Sequence, residues 1–225
     1  MTTTLYLIRH GETEGSEIQR YKGSIDIPLS DNGKKQMEQL AKYLSGNSAN
    51  IGEDTKELNP RRSSCLRFSG PDISAVYCSD LSRAIKSAEK IAEPYSLNPI
   101  IVPALRERNF GEWEGMSFDE IRRKYPYEFD AWAGNPLRFS PISGESTTEV
   151  KERTMKALDD IIAAHTGQCI ALISHGGVIR IILCQILGIP LENIFRIEQD
   201  YAALNIIEYR DKYPVVRLLN GTIHD

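Results

Sequence analysis

The chain has 225 residues, 41% of them hydrophobic and 26% charged, the balance of an ordinary globular protein with enough apolar material for a core. A net charge of −4 argues against general binding along a nucleic-acid backbone, which calls for basic surface. It leaves room for a small anion held by one cluster of Arg. The four cysteines, Cys65, Cys78, Cys169 and Cys184, show neither C-x-x-C nor zinc-ribbon spacing. Cys78 and Cys169 sit in apolar runs and read as small buried hydrophobes, which fits a reducing compartment. With no signal-like start and no bilayer-length apolar stretch, the expectation is a cytoplasmic protein with no membrane partner.

In chain order, residues 5–8 form a short apolar run that stops at a polar motif, as a buried parallel strand does. Ser30 and Asp31 open a helix through Leu44, with Met37, Leu40, Ala41 and Leu44 on one face. Residues 45–71, rich in Gly, Ser, Asn and Pro, read as a long loop. A strand over 73–78 leads to Ser79 and Asp80 as a cap and a helix over 81–93; a third strand spans 99–102. Residues 105–145, punctuated by Gly and Pro, read as a lid-like insertion with one short helix near 117–125. A long helix over 146–165, a strand over 169–173 and a helix over 176–187, stopped by Pro190, follow. Strands near 203–209 and 214–219 finish the chain.

This alternation implies an α/β fold: a three-layer sandwich, its central sheet mostly parallel, with helices on both faces. We expect a single domain over 1–225 carrying the insertion and the long loop. Ligands of such sheets bind beyond the carboxyl ends of the strands. The polar residues at those ends are Arg9, His10, Gly11 and Glu12 after the first strand and Ser79, Asp80 and Arg83 after the second. Ser174, His175, Gly176 and Gly177 follow the fourth. Two imidazoles and two guanidiniums thus converge on one sheet edge.

Such a cluster suits an oxyanion. Arg donates two parallel hydrogen bonds and keeps its charge, and Gly176 and Gly177 open a helix whose free N–H groups face an anion. A neutral imidazole is a competent nucleophile towards phosphorus, and Arg9 and Arg83 disfavour protonation of His10. The leaving alkoxide needs a proton from a carboxylic acid of raised pKa. Glu107, at the head of the insertion, is the candidate, with Glu112, Glu114 and Glu145 as competitors.

The stretch Leu7-Ile8-Arg9-His10-Gly11-Glu12-Thr13 resembles the Arg-His-Gly signature of the histidine phosphatase (phosphoglycerate-mutase-like) superfamily. Cys78-Ser79-Asp80-Leu81-Ser82-Arg83-Ala84 resembles its second-Arg motif. Leu105-Arg106-Glu107 with Gly111-Glu112-Trp113-Glu114-Gly115 resembles its acid-bearing stretch, and Gly144-Glu145-Ser146 and Ser174-His175-Gly176-Gly177 complete the set in the family's order. The resemblance, from about residue 4 to 209, implies phosphohistidine chemistry with no metal and no cofactor. Carried over by position, His10 is the nucleophile, Arg9, Arg83 and His175 hold the phosphoryl group, and Glu107 donates the proton. Residues 20–23 and 25–30 resemble the substrate-side segment of the phosphatase branch, which includes α-ribazole phosphatase; Arg20 and Tyr21 are the expected contacts there, and Gly176 lies at the phosphate. Ser16 stands where many relatives have Asn, and its shorter reach weakens that contact.

The bland readings are a satisfied core histidine for His10, a helix-start histidine for His175, a surface Arg for Arg83 and an exposed loop carboxylate for Glu107. Trp113 and Phe110 read as packing for the insertion. His165 and His224 read as exposed, and Glu12 and Thr13 as organisers of the loop. The expected activity is metal-independent hydrolysis of a small phosphorylated metabolite, with α-ribazole 5′-phosphate the named candidate and a homodimer the base-rate assembly. Its rivals are a mutase, a non-catalytic phosphate-binding module and a metallohydrolase using both histidines.

Overall fold

A computed structural model describes residues 1–17, 20–46, 70–211 and 213–223. Most of the loop expected over 45–71, with Cys65, Arg61, Arg62 and Arg67, lies outside the described residues, as does His224.

Six strands form one sheet: β1 (Thr2–Arg9), β2 (Ile73–Cys78), β3 (Ile100–Ile101), β4 (Cys169–Ser174), β5 (Leu204–Arg210) and β6 (Tyr213–Gly221), in the order β3-β2-β4-β1-β5-β6. The four strands from β3 to β1 run parallel, and β5 and β6 are added antiparallel at the far edge. Side chains of a strand alternate between faces, and the core divides accordingly. Leu5 and Leu7 of β1 with Ile170 and Leu172 of β4 pack against α5 (Thr147–Ala164) and α6 (Gly176–Leu187). Tyr6 and Ile8 with Ala171 and Ile173 pack against α1 (Asp31–Leu44) and α2 (Ser82–Ala92) on the opposite face. Burying each such Leu or Ile stabilises the fold by about 1.5–3 kcal/mol, so both helical layers are held to the sheet by its two central strands. The architecture is the expected three-layer α/β sandwich.

Local chemistry sets the element ends. Ser30 caps α1 by accepting from the Gly33 N–H at 3.0 Å, and Ser146 and Glu149 form a reciprocal capping box at the start of α5. Helix α6 ends at Gly188, whose φ of +66° is the left-handed geometry that glycine takes without penalty. At α2 the expected cap fails. Its first helical residue follows Leu81, with no side-chain cap, because the Ser79 hydroxyl bonds His175 and the Asp80 carboxylate pairs with Arg106 at 2.5 and 2.9 Å.

The insertion differs from its sequence reading. It holds two helices, α3 (Phe118–Lys124) and α4 (Pro126–Gly134). Pro126 opens the second instead of breaking the first, since proline at the first helical position loses no hydrogen bond. Trp113, Ile121 and Phe129 form a small core of their own, joined by Phe110, Tyr125, Trp132 and Phe139. His165 is half-buried, not exposed: one ring nitrogen meets the Tyr77 hydroxyl at 2.8 Å and the other Gln168 at 2.5 Å. Cys78 is fully buried as expected, whereas Cys169 is half-buried.

Candidate active site

Parallel pairing carries the motifs to one edge. Arg9 is in register with Ser174, and Cys78 with Ile173, so the residues that follow, His10, His175 and Ser79, emerge side by side. The loop after β1 presses against the start of α1, backbone to backbone. A Cβ at Gly11 would stand 2.4 Å from the Gly33 carbonyl oxygen, and one at Gly33 would stand 2.0 Å from that of Glu12. Both glycines are required by this contact. Glu12 secures it further, its carboxylate accepting from Ser30 at 2.7 Å and Asn32 at 3.0 Å.

His10 is 5% exposed, and its Nδ1 lies 2.7 Å from the carbonyl oxygen of Gly11. A carbonyl only accepts, so Nδ1 carries the proton and the neutral ring keeps its lone pair on Nε2. Burial, then the guanidiniums of Arg9 and Arg83, hold the His10 pKa well below the ordinary imidazole value. The His175 ring stands 5.0 Å from that of His10, centroid to centroid, and is wholly buried. Its Nε2 meets the Ser79 hydroxyl at 2.7 Å. That oxygen also accepts from the Leu81 N–H at 3.4 Å; with the hydroxyl proton given to Nε2, the ring proton sits on Nδ1. The His175 pKa is likewise lowered, by burial first and then by His10 and both guanidiniums.

Four buried side-chain polar atoms among the described residues lack a partner, and two of them are Arg9 Nε and His175 Nδ1. Both stand on residues adjoining His10; Arg9 Nε is a donor, and His175 Nδ1 is one in the tautomer just described. Unpaired buried polar atoms are costly, and both of these belong to the cluster around His10. The rest of the Arg9 guanidinium is fixed by the Gln199 carbonyl at 2.5 Å and lies 3.9 Å over the Tyr201 ring. Arg83, 3% exposed, donates to the carbonyls of Gly23 and Ile25, both at 2.7 Å. It thereby ties the 20–30 segment to the site.

Glu107 is the only carboxylate lining the cleft among the described residues. It accepts from the Gly177 N–H at 3.0 Å and from the Arg108 N–H at 2.9 Å. A Cβ at residue 177 would stand 2.6 Å from its Oε1, so Gly177 permits this approach to the α6 N-terminus. The competing carboxylates are engaged elsewhere. Glu114 takes Ser24 and the Phe110 N–H, Glu112 takes the Tyr125 hydroxyl, and Glu145 pairs with Arg153 at 2.7 and 2.9 Å.

The cleft encloses about 830 Å³, and Arg9, His10, Ser16, Arg20, Tyr21, Arg83, Glu107 and Gly176 all line it. His175 does not; it stands behind His10. Arg20 reaches the wall with its guanidinium already paired to Glu120 at 2.6 and 3.2 Å, so it joins the 20–30 segment to α3. Phe110 lines the cleft against Tyr21, ring centroids 4.7 Å apart, and is more than packing. Sequence reasoning had Lys22 within the substrate-side segment without naming it as a contact, and missed Arg180, Phe195 and Tyr201; all four line the cleft. Arg180 had a visible signal, as the one charged residue in the otherwise apolar α6. Its Nη1 and the Arg9 guanidinium flank Gly176, 3.3 and 3.4 Å from where a Cβ would stand. Among the described residues, no three His, Cys, Asp or Glu side chains gather as a metal-ligand set, and no helix is long and apolar enough to cross a membrane.

The family model described as Histidine phosphatase superfamily (branch 1) matches residues 5–51 and 63–222. Phosphoserine phosphatase 1 of Hydrogenobacter thermophilus is 30% identical over 220 residues, covering 98% of this chain and 93% of its own. Adenosylcobalamin/alpha-ribazole phosphatase of Escherichia coli is 26% identical over 217 residues, covering 96% and 95%. The crystal structure of a putative alpha-ribazole-5'-P phosphatase from Escherichia coli superposes with a TM-score of 0.80 at 26% identity, covering 97% of this chain and 96% of that one.

Proposed function

The chain belongs to the histidine phosphatase superfamily, and from that premise we propose that it hydrolyses small phosphomonoesters through a phosphohistidine on His10. The observation that carries this reading is the pair of buried polar atoms without a partner, Arg9 Nε and His175 Nδ1, beside an imidazole whose Nε2 keeps its lone pair. In the first step Nε2 attacks phosphorus and the P–O bond to the alcohol breaks. The electron pair leaves on the alkoxide, which takes a proton from the Glu107 carboxyl. In the second, water attacks phosphohistidine, Glu107 takes its proton, and the P–N bond pair returns to Nε2. Arg9, Arg83 and His175 offset the charge that builds on the phosphoryl oxygens.

Two guanidiniums beside the histidines repel a divalent cation, and His10 Nδ1 and His175 Nε2 already have protein partners. Both features support metal-independent chemistry over a metallohydrolase. The relatives named above suggest two substrates, α-ribazole 5′-phosphate and phosphoserine. We carry α-ribazole 5′-phosphate forward as the first to assay.

The test is phosphate release from p-nitrophenyl phosphate and a panel of metabolite monoesters, with chelator present, by wild type and His10→Ala. Release by wild type, cut at least ~10⁴-fold in His10→Ala, is the expected result. Equal release by both proteins would remove His10 as nucleophile. Transfer that requires a bisphosphorylated primer would make the protein a mutase.

A further inference from the structure

A second chamber of about 420 Å³ opens off the cleft, between the insertion, α6 and the turn Leu191–Arg196. The two share Tyr21, Glu107, Phe110, Arg180 and Phe195. Glu107 therefore stands at the junction, and the oxygen it protonates on the proposed path has its carbon substituent free to run into the chamber. The walls there are Trp113, Trp132, Leu137, Ile181, Leu191 and Ile194.

Apart from Glu192, the charged groups of the chamber are each anchored by the protein. The Arg108 guanidinium is taken up by the carbonyls of Glu145 and Phe139 at 2.7 and 3.1 Å and by Thr147 at 3.1 Å. Arg180 is held by the Ile197 carbonyl at 2.7 Å, and its Nη1 lies beside Gly176 at the phosphoryl end. Glu107 is bound to the start of α6, and Glu192 is an exposed rim carboxylate. A carboxylate and an ammonium placed against the aromatic and aliphatic walls lose water without gaining partners there. An apolar ring system gains contact on every side.

We propose that the chamber receives the leaving group, and that the preferred substrates are phosphomonoesters of alcohols bearing a flat, uncharged, apolar ring system. The proposal rests on the hydrolase reading above and narrows its substrate class, disfavouring phosphoserine. It is tested with 2-(1-naphthyl)ethyl phosphate and O-phosphoserine, both esters of primary alcohols. Turnover is measured on wild type, and binding of each intact ester by calorimetry on His10→Ala. Filling the chamber from two separate elements, with Leu137→Trp and Leu191→Trp, guards against one variant that fails to fold.

The naphthylethyl ester is expected to lead by at least about tenfold in kcat/KM and in affinity, and each filling variant to cut that lead about tenfold. Equal or better binding and turnover of phosphoserine would overturn the proposal, as would a lead that survives both variants. Failure of the naphthylethyl ester to bind would overturn it too. Preferential binding of the naphthylethyl ester without release of phosphate would uphold the chamber while sinking the hydrolase reading.

Discussion

The phosphoryl end of the cleft is assembled from the carboxyl ends of β1, β2 and β4, while Glu107, Phe110 and Phe118 of the facing wall come from residues 105–147, which contribute no strand to the sheet. At the first end each functional group follows a strand locked on both sides by its neighbours, and His10, Arg83 and His175 are 5%, 3% and 0% exposed. At the second, a three-residue buried core of Trp113, Ile121 and Phe129 holds two short helices whose outer residues reach solvent. The contrast separates two tasks. Phosphoryl transfer needs groups that do not move as charge develops, whereas beyond Glu107 the leaving-group wall needs only shape, and shape tolerates a lightly anchored element.

The largest test of that contrast removes the anchor. Trp113, 2% exposed, stacks on Phe139 at 5.5 Å and meets Trp132 edge-on at 6.2 Å. Trp113→Ala is expected to cost about 3–5 kcal/mol, felt as faster amide exchange across 105–145 while β1 and β4 keep their protection. Its Nε1 has no partner, so Trp113→Phe sheds an unpaired donor along with some contact and recovers most of the loss. Equal loss of protection in β1 and β4 would mean that insertion and sheet unfold as one unit, and the contrast would collapse.

Next in size is Arg83, which belongs to the rigid end yet reaches across to the carbonyls of Gly23 and Ile25. Arg83→Ala is expected to lower kcat/KM about 10²–10³-fold, near the 2.7–4 kcal/mol of a lost transition-state donor. Arg83→Lys is expected to restore little, because one ammonium cannot span two carbonyls and an oxyanion. A loss below tenfold would show Arg83 to be a strut for the 20–30 segment with no share in the chemistry.

The same division governed what could be read from sequence. Strand ends are legible because a buried parallel strand is a continuous apolar run whose stop is abrupt, so Arg9-His10, Ser79 and Ser174-His175 could be placed on one edge before any coordinates. What failed were choices between two partners for one side chain. Ser79 and Asp80 have the composition of a helix cap, but tertiary partners, His175 and Arg106, took them. His165 looked like an exposed helix-end residue because Tyr77, its partner, is 88 positions away. In the insertion, Pro126 and Gly134 read as breaks, while Phe129 and Trp132 between them pack into the small core. Arg180 carried a signal as the one charged residue of α6, but only the fold shows that it lines the cleft.

The smallest expected effect is a pH dependence that the two ends do not share. His10 and His175 have folded pKa values well below the ordinary 6.5, through burial first. The unfolded chain takes up protons at these rings near pH 6.5 and the folded protein does not. Stability therefore rises with pH, and it is lost as pH falls below about 6.5 towards the folded values. Each excluded proton contributes a slope of about 1.4 kcal/mol per pH unit. Residues 105–147 contain no histidine, so local opening of the insertion has no share in this loss. Denaturant unfolding between pH 7.5 and 5.5 measures the slope, and His10→Gln and His175→Gln are each expected to remove about one proton's worth of it. Inorganic phosphate, by neutralising the surrounding guanidiniums, is expected to raise both ring pKa values and flatten the wild-type slope. If the slope is unchanged by both substitutions, the rings take up protons in the folded state, and the phosphoryl end is as yielding as the insertion.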